Sequence, residues 1–483
     1  MRHSIRLIRS ELLLLVRGKS FTWAMILLCL LMTIAVWNTH NQVTYKKQQI
    51  QVQRELVADN DAQLIAQMDS LNKGLATYEN SYTLPTSGVR LTYNNHRLAW
   101  MPMGPFSLLA IGQGDIYSNY KKIVLYFDES YEMTTQELVS PIEQVFGQLD
   151  LVFIWVYILP LIIIVISFNA LSAEKESGRL AIIASQPINV PYWVFIKIVV
   201  RLFSIFLLTL SFTGILLHVF GVAVLIHFTE FGQLAAFLFL YAAFWFLLSI
   251  TVNLLGYSSG SSLIVLSSFW VLFVFLIPSI VNQAGKELHP IPARLEIVNH
   301  HQGIYNAMES NLEEELQSLF LLHPDWASDD PITKDLSNST GWNINYLAKQ
   351  YMAQIKHQPT SQGYEDKVDR KNTWLNQYRV LSPAMILQSA LSDMAGTSTK
   401  SYRSFLRQAQ RYASAYREYV FRGLFTNHVF TSAEIRNLPT FVFDRQQVPD
   451  NTPMSLSALL VYLATLSLLI LFLGRRTNLT NQL

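Results

Sequence analysis

Three short stretches carry side chains of the kinds that do chemistry, and spacing decides against each of them. MAGTSTKS (394–401) has the glycine, lysine and serine of a phosphate-cradling loop. Such a loop needs Gly-x-x-x-x-Gly-Lys-Ser/Thr, and Thr399 stands where the second glycine must be, so its side chain would block the backbone's approach to phosphate. GQGD (112–115) sets Asp115 behind Gly-x-Gly. A carboxylate dyad needs a second aspartate at the same depth to share its proton, and the sequence offers none, so a turn is expected. His300 and His301 are adjacent, which on a helix points them about 100° apart, without the i, i+4 spacing or carboxylate of a helical zinc site. No nucleophile elbow is present, and the single cysteine, Cys29, falls in an apolar run where it reads as an ordinary apolar side chain. We expect no catalytic, cofactor-binding or metal-binding residue, and no enzyme activity in this chain.

A fourth stretch has chemistry of another kind. NALSAEKESGRLAIIASQPI (169–188) sets four charges between two long apolar runs. Glu174 and Glu176 offer carboxylates to a cationic partner, Gly178 permits a sharp turn, Leu180 to Ile183 form an apolar patch, and Pro187 and Pro191 end the segment. On the residues alone, a docking handle and a plain solvated connector are equally open.

The elements that must hold this stretch are membrane helices. Of 483 residues, 51% are hydrophobic and only 14% charged, with mean hydropathy +0.24, whereas soluble domains carry about a quarter charged residues. Runs near 21–37, 151–171, 194–217, 234–255, 263–281 and 456–473 are each long enough, as helices, to cross about 30 Å of hydrocarbon. The N-terminus looks like the basic region of a signal sequence but lacks a small-x-small cleavage site. It reads as an amphipathic segment with Arg2, Arg6, Arg9, Arg17 and Lys19 at the headgroups, ahead of an uncleaved first helix. Net charge is only +2, which implies no nucleic-acid partner.

The expected architecture is an all-α polytopic membrane protein with two insertions, the first mixed α/β and the second mainly helical. Its order is an amphipathic segment 1–20; spans 21–37, 151–171, 193–217, 233–255, 263–281 and 454–473; insertions 38–150 and 282–453; loops 172–192, 218–232 and 256–262; and a tail 474–483. Basic residues flank both termini, so both are expected to be cytoplasmic, with 172–192 and 256–262 on the same side and the insertions outside. Val43, Ile50, Val57, Leu64 and Leu71 fall seven apart, predicting a helical stalk that packs on its own domain or on a partner. LPTSGVRLTYNN and KKIVLYF read as short strands and turns. In the second insertion helical spacing recurs at 295–322, 346–355 and 402–425, interrupted by Pro324, Pro331, Pro359 and Pro383, and 17 Lys/Arg balance 18 Asp/Glu between 282 and 451. Trp326, Trp342 and Trp374 are expected in its core.

Polar groups within the runs are few. Lys197 and Arg201 are expected to snorkel to the headgroups, and Thr209, Ser211 and Thr213 to serve helix packing. Neither a buried Asp/Glu/His relay nor inverted repeats with broken helices can be seen, which argues against a self-powered secondary transporter.

FGQLDLVFIWVYILPLIIIVISFNALSAEKESGRLAIIASQPINVPYWVFIKIVVR (146–201) resembles the permease subunits of ABC-2 type transporters. In that family the connector after the second helix carries E-x-E-x-G-T/R-L and a proline turn, matched here by Glu174, Glu176, Gly178, Arg179, Leu180 and Pro187. PFSLLAIGQGDIY (105–117) and LSPAMILQSALSDMAGTSTKSYRSFLRQAQRY (381–412) resemble recurrent segments of its DUF3526-like branch, which carries large periplasmic insertions. One departure is Arg179, where a small residue is usual. The resemblance implies a six-helix, type V exporter-like subunit of a bacterial inner membrane, with a coupling helix at 172–192 that docks on a separate ATPase, and Asn169 and Ser172 included in the docking segment. It also implies a second permease, identical or a sister, with ATP and Mg²⁺ bound only by the partner ATPase. The function implied is export or membrane extraction of an amphipathic substrate. The alternative is a mechanotransmitting scaffold whose outer domains act on an envelope partner; a third, a membrane-anchored periplasmic hydrolase, has only the helical outer domain in its favour.

Overall fold

The computed structural model describes residues 2–112, 118–125, 149–185, 190–308, 312–327 and 338–476. The chain is overwhelmingly helical, and six of the described helices are long and apolar enough to cross a membrane. In chain order, α1 (Arg2–Arg17) precedes α2 (Lys19–Asn72), a single helix of 54 residues. At 1.5 Å per residue α2 is about 80 Å long, so well over half of it continues past any bilayer crossing. Val43, Ile50 and Leu64 of the seven-residue seam are buried against the rest of the chain, as is Met68 nearby, so these positions pack on their own subunit.

The first insertion corrects one expectation. Residues 88–94 form a helix, α3 (Gly88–Asn94), not a strand, because Ser87 caps it by accepting from Val89 N. Among the described residues only β1 (Arg97–Trp100) and β2 (Tyr120–Ile123) pair, antiparallel, with Arg97 opposite Ile123.

The second span, α4 (residues 151–167), contains a π-helical turn at Ile154–Ile158 followed by Pro160. Proline cannot donate to the Val156 carbonyl one turn back. The buried Tyr241 hydroxyl donates to that oxygen instead, at 2.9 Å, and Trp270 Nε1 donates to the Tyr157 carbonyl at 3.1 Å. After a break come α5 (Ser172–Glu176) and α6 (Arg179–Ala184), then the spans α7 (Val190–Val219), α8 (Phe228–Leu254) and α9 (Ser259–Leu288). α9 repeats the device of α4: a π-helical turn at Leu272–Leu276, then Pro278. Here the Phe273 carbonyl accepts from Ser382 Oγ.

Ser382 belongs to the second insertion, which supplies α10 (Arg294–Ala307), α11 (Leu312–Leu322), α12 (Ser339–Tyr378), α13 (Pro383–Ala395) and α14 (Thr399–Phe425) before the last span, α15 (Thr452–Arg476). Pro359 does not interrupt the helix as expected; α12 runs through it for 40 residues. Of the three tryptophans, Trp326 is 1% exposed and in the core, Trp374 packs on Gly285 of α9, and Trp342 is half exposed, stacked on Tyr346.

Among the described residues two large hydrophobic cores result, beside a small one under α1. One lies outside the bundle and joins α2, α3, β1, β2, α11, α12 and α14, around Met68, Trp326, Leu347, Phe405 and Phe421. The other is the helix bundle, and it takes in two pieces of the insertions: Phe106 to Ala110, and the α13 residues Ala384, Ile386, Leu387, Ala390, Leu391 and Ala395. The 105–111 segment crosses the start of α4, where Val152 N donates to the Leu109 carbonyl and Asp150 accepts from both Phe153 N and Ile111 N. Both insertions therefore plug the same end of the bundle. The two glycine motifs that failed as chemistry meet there. Gly112, at φ +57°, leaves no room for a Cβ against Thr397, whose backbone oxygen would lie 2.7 Å away. Gly396 (φ +74°) terminates α13, Ser398 caps α14, and Lys400 pairs with Asp393 at 3.0 Å. Asp115 of the GQGD stretch lies outside the described residues.

Candidate functional site

The 172–184 stretch lies at the opposite end of the bundle and is built by a break in α4. The helix gives way at Phe168, and Asn253 of α8 supplies the missing bonds. Its Nδ2 donates to the carbonyls of Ser249 (2.8 Å) and Ser167 (3.3 Å), and its Oδ1 accepts from Leu171 N at 3.3 Å. Asn169 lies half-buried in this turn, with its carbonyl accepting from Ala173 N at 3.2 Å to start α5. A small apolar cavity lined by Ala170, Val194, Ile198, Phe246 and Ile250 adjoins the break.

Both carboxylates of the stretch are engaged within the chain. Glu174 lies between two cations: Lys197 Nζ of α7 at 3.0 Å and Arg179 Nε at 2.8 Å. Lys197 is 7% exposed and also stands 4.9 Å from the Trp193 ring. It does not snorkel as expected, because a carboxylate within reach compensates a buried ammonium better than a distant headgroup can. Glu176 is exposed and caps α9. One oxygen accepts from Ser259 N at 2.7 Å and the other from Ser259 Oγ at 2.8 Å, in the place of an acid at a helix N-terminus. Ser259 Oγ also lies 3.0 Å from Ser172 Oγ, so the buried Ser172 joins the same link.

Gly178, at φ +71° with open space about it, makes the left-handed turn from α5 to α6. Beyond it Arg179 is exposed, Leu180 half-buried and Ile182 63% exposed, while Lys175 projects outward from α5. Pro187 lies outside the described residues. The outward face of the stretch is thus largely cationic and apolar, with Glu174 turned inward and the exposed Glu176 tied to the start of α9.

Arg201 makes the third tie. Its guanidinium meets Glu11 of α1 at 3.1 Å and donates to the Ile166 carbonyl at 2.6 Å. It too is paired rather than snorkelling. Leu15 of α1 packs on Ile196 and Val200 of α7, while Leu12, Leu13, Leu14 and Val16 remain exposed beside Arg9 and Arg17, as an interfacial helix requires. Thr209 and Thr213 are buried in α7, where the Thr213 hydroxyl donates to the Thr209 carbonyl at 2.7 Å, whereas Ser211 is exposed.

Sequence reasoning missed Glu11, Lys197, Arg201, Asn253 and Ser259 as parts of this site. Two signals were available. Lys197 and Arg201 are four apart on one face of an apolar helix and need anions, and Glu11 is the only acid among the first 54 residues. Nothing local marks Asn253 or Ser259, whose partners are more than 80 residues away. Among the described residues no group of three or more His, Cys, Asp or Glu side chains is arranged to hold a metal.

No curated protein matches the chain. Residues 294–444, which span α10 to α14 and include the bundle-plugging α13, match the model of a family described as a domain of unknown function, DUF3526.

Proposed function

We propose that this chain is the transmembrane subunit of an ABC-2 type ATP-driven machine, worked by a separate ATPase that docks on the 172–192 loop. The observation that carries the proposal is the wiring of that loop. A force applied at α5–α6 reaches α7 through Glu174–Lys197, α9 through Glu176–Ser259 and α8 through Asn253, with no slack side chain between. The docking face is Lys175, Arg179 and Ile182, which suits a partner groove that is acidic at its rim and apolar at its floor. ATP and Mg²⁺ belong to that partner. The loop end and both termini then face the cytoplasm of a bacterial inner membrane, the insertions face the periplasm, and a second permease completes the assembly. The work done is export or membrane extraction of an amphipathic substrate.

A second reading has an observation of its own. α2 runs unbroken out of the bundle into the insertion core, the end of α9 packs on α12 where Gly285 meets Trp374, and Ser382 bonds directly to the π-helical turn of α9. These links suit a mechanotransmitter that moves its outer domains without passing a substrate.

The docking is tested by co-purification in detergent with the ATPase encoded beside the gene. The wild type should retain an active ATPase, and an Arg179→Glu/Ile182→Asp variant should lose it. Equal retention and equal hydrolysis by both proteins would place the motor elsewhere. Substrate transfer in vesicles by the reconstituted assembly would favour export, whereas nucleotide-driven motion of the insertions without transfer would favour transmission.

A further inference from the structure

We propose that His300 and His357 form a binding site for a divalent transition metal of the zinc type, at the seam between α10 and α12. The two residues are 57 apart in sequence, yet their Nδ1 atoms lie 3.1 Å apart, with ring centroids 5.3 Å apart. Two nitrogens bound to one tetrahedral zinc at about 2.0–2.1 Å stand about 3.3–3.4 Å from each other, so a shift of a few tenths of an ångström converts the pair into a chelate. Without metal, one Nδ1 must carry a proton and donate to the other. With metal, the donor ring changes tautomer, its proton passing through solvent from Nδ1 to Nε2, so that both neutral rings turn a bare Nδ1 to the cation and carry their proton on Nε2.

The surroundings fit a ligand pair. His357 is 1% exposed and fixed in the long helix α12, and the 5% exposed His301 sets its ring nearly perpendicular to that of His357 at 5.2 Å. His300 is exposed and gives a cation a way in from solvent, with water completing the coordination. Two imidazoles without a carboxylate or thiolate favour zinc or cobalt over magnesium or calcium. The site would staple α10, one of the peripheral helices of the second insertion, to α12.

The test uses the full-length protein in detergent, stripped with chelator and exchanged into chelator-free buffer. Zn²⁺ binding is followed by calorimetry and Co²⁺ binding by its visible absorption. One equivalent should bind with micromolar Kd, and His300→Ala, an exposed change that should leave the fold intact, should weaken it at least tenfold. His357→Gln should do the same, while His428→Ala, at an exposed histidine paired with Glu434, should not. Zn²⁺ should also raise the Tm of the wild type but not of His300→Ala. Absence of binding, or binding unchanged in His300→Ala, would overturn the proposal.

Discussion

Replacing Glu174 by alanine should destabilise the protein far more than replacing Glu176, although the two carboxylates are only two residues apart. The difference lies in what each leaves behind. The Lys197 side chain is 8% exposed, and without Glu174 its ammonium is buried with no anion. Breaking a buried pair from one side costs about 3–5 kcal/mol. The Trp193 ring 4.9 Å away returns some of that, on the order of 1 kcal/mol. Loss of the exposed Arg179 contact adds less than about 1 kcal/mol. The net expectation for Glu174→Ala is roughly 2–4 kcal/mol. Glu176 is exposed, and without it Ser258 still caps α9 and water can reach Ser259, so its loss should be mild. The double variant Glu174→Ala/Lys197→Met removes both charges and should recover most of the loss, giving a coupling of at least about 1.5 kcal/mol. Unfolding the purified protein by SDS titration in mixed micelles, read by tryptophan fluorescence, measures all five proteins: wild type, Glu174→Ala, Glu176→Ala, Lys197→Met and the double variant. The reasoning is refuted if Glu174→Ala falls within about 0.5 kcal/mol of wild type, or if the double variant is as unstable as the sum of its parts.

Three further outcomes follow from the packing. Burial pushes the Asp150 carboxyl up to about 6, against the backbone N–H groups of Phe153 and Ile111 that favour its ionised form. A carboxyl raised in the folded state contributes stability in acid that is lost as pH climbs from about 4 to 6, here about 3 kcal/mol for some two units. The Tm advantage of wild type over Asp150→Asn should therefore shrink between pH 5 and pH 7, and a constant difference would show that Asp150 stays ionised throughout. Tyr241→Phe should cost about 1–3 kcal/mol by orphaning the Val156 carbonyl, and Pro160→Ala, which restores a backbone donor, should recover part of it in the double variant; no recovery would mean that the hydroxyl does not serve that carbonyl. Gly88→Ala would set a Cβ 2.8 Å from the Leu424 Cα, a contact with backbone that no rotamer relieves, and should cost about 1–3 kcal/mol in thermal unfolding; an unchanged Tm would show that α3 can move off α14.

The helical, membrane-type architecture was legible because apolar run length is a local property, and so was the helical character of the second insertion. What the sequence concealed were features created by distant partners. α3 was misread because GVRLTYN has strand-like residues, while its cap and its close packing on Leu424 decide for helix. Pro359 was misread as a break because a proline penalty is local, whereas α12 is held along its length by α9, α10 and α11. The 172–192 stretch was recognisable by pattern, and its glycine turn followed from chemistry. The pairing of Glu174 and Glu176 within the chain did not, since it depends on Lys197 and Ser259 arriving from other spans. α13 is moderately apolar and was counted with a solvated domain; only its packing beside α8, α9 and α15 shows that it completes the bundle core.

The most direct test of the docking claim is a photo-crosslink from Ile182, the most exposed apolar side chain among the described positions of the loop. With benzoylphenylalanine at position 182 in native membranes, the account predicts an adduct to a subunit carrying an ATP-binding loop, identified by mass spectrometry, whose yield changes with nucleotide. Adducts confined to lipid, with the same ATPase recovered from a crosslinker at Leu225 instead, would contradict it.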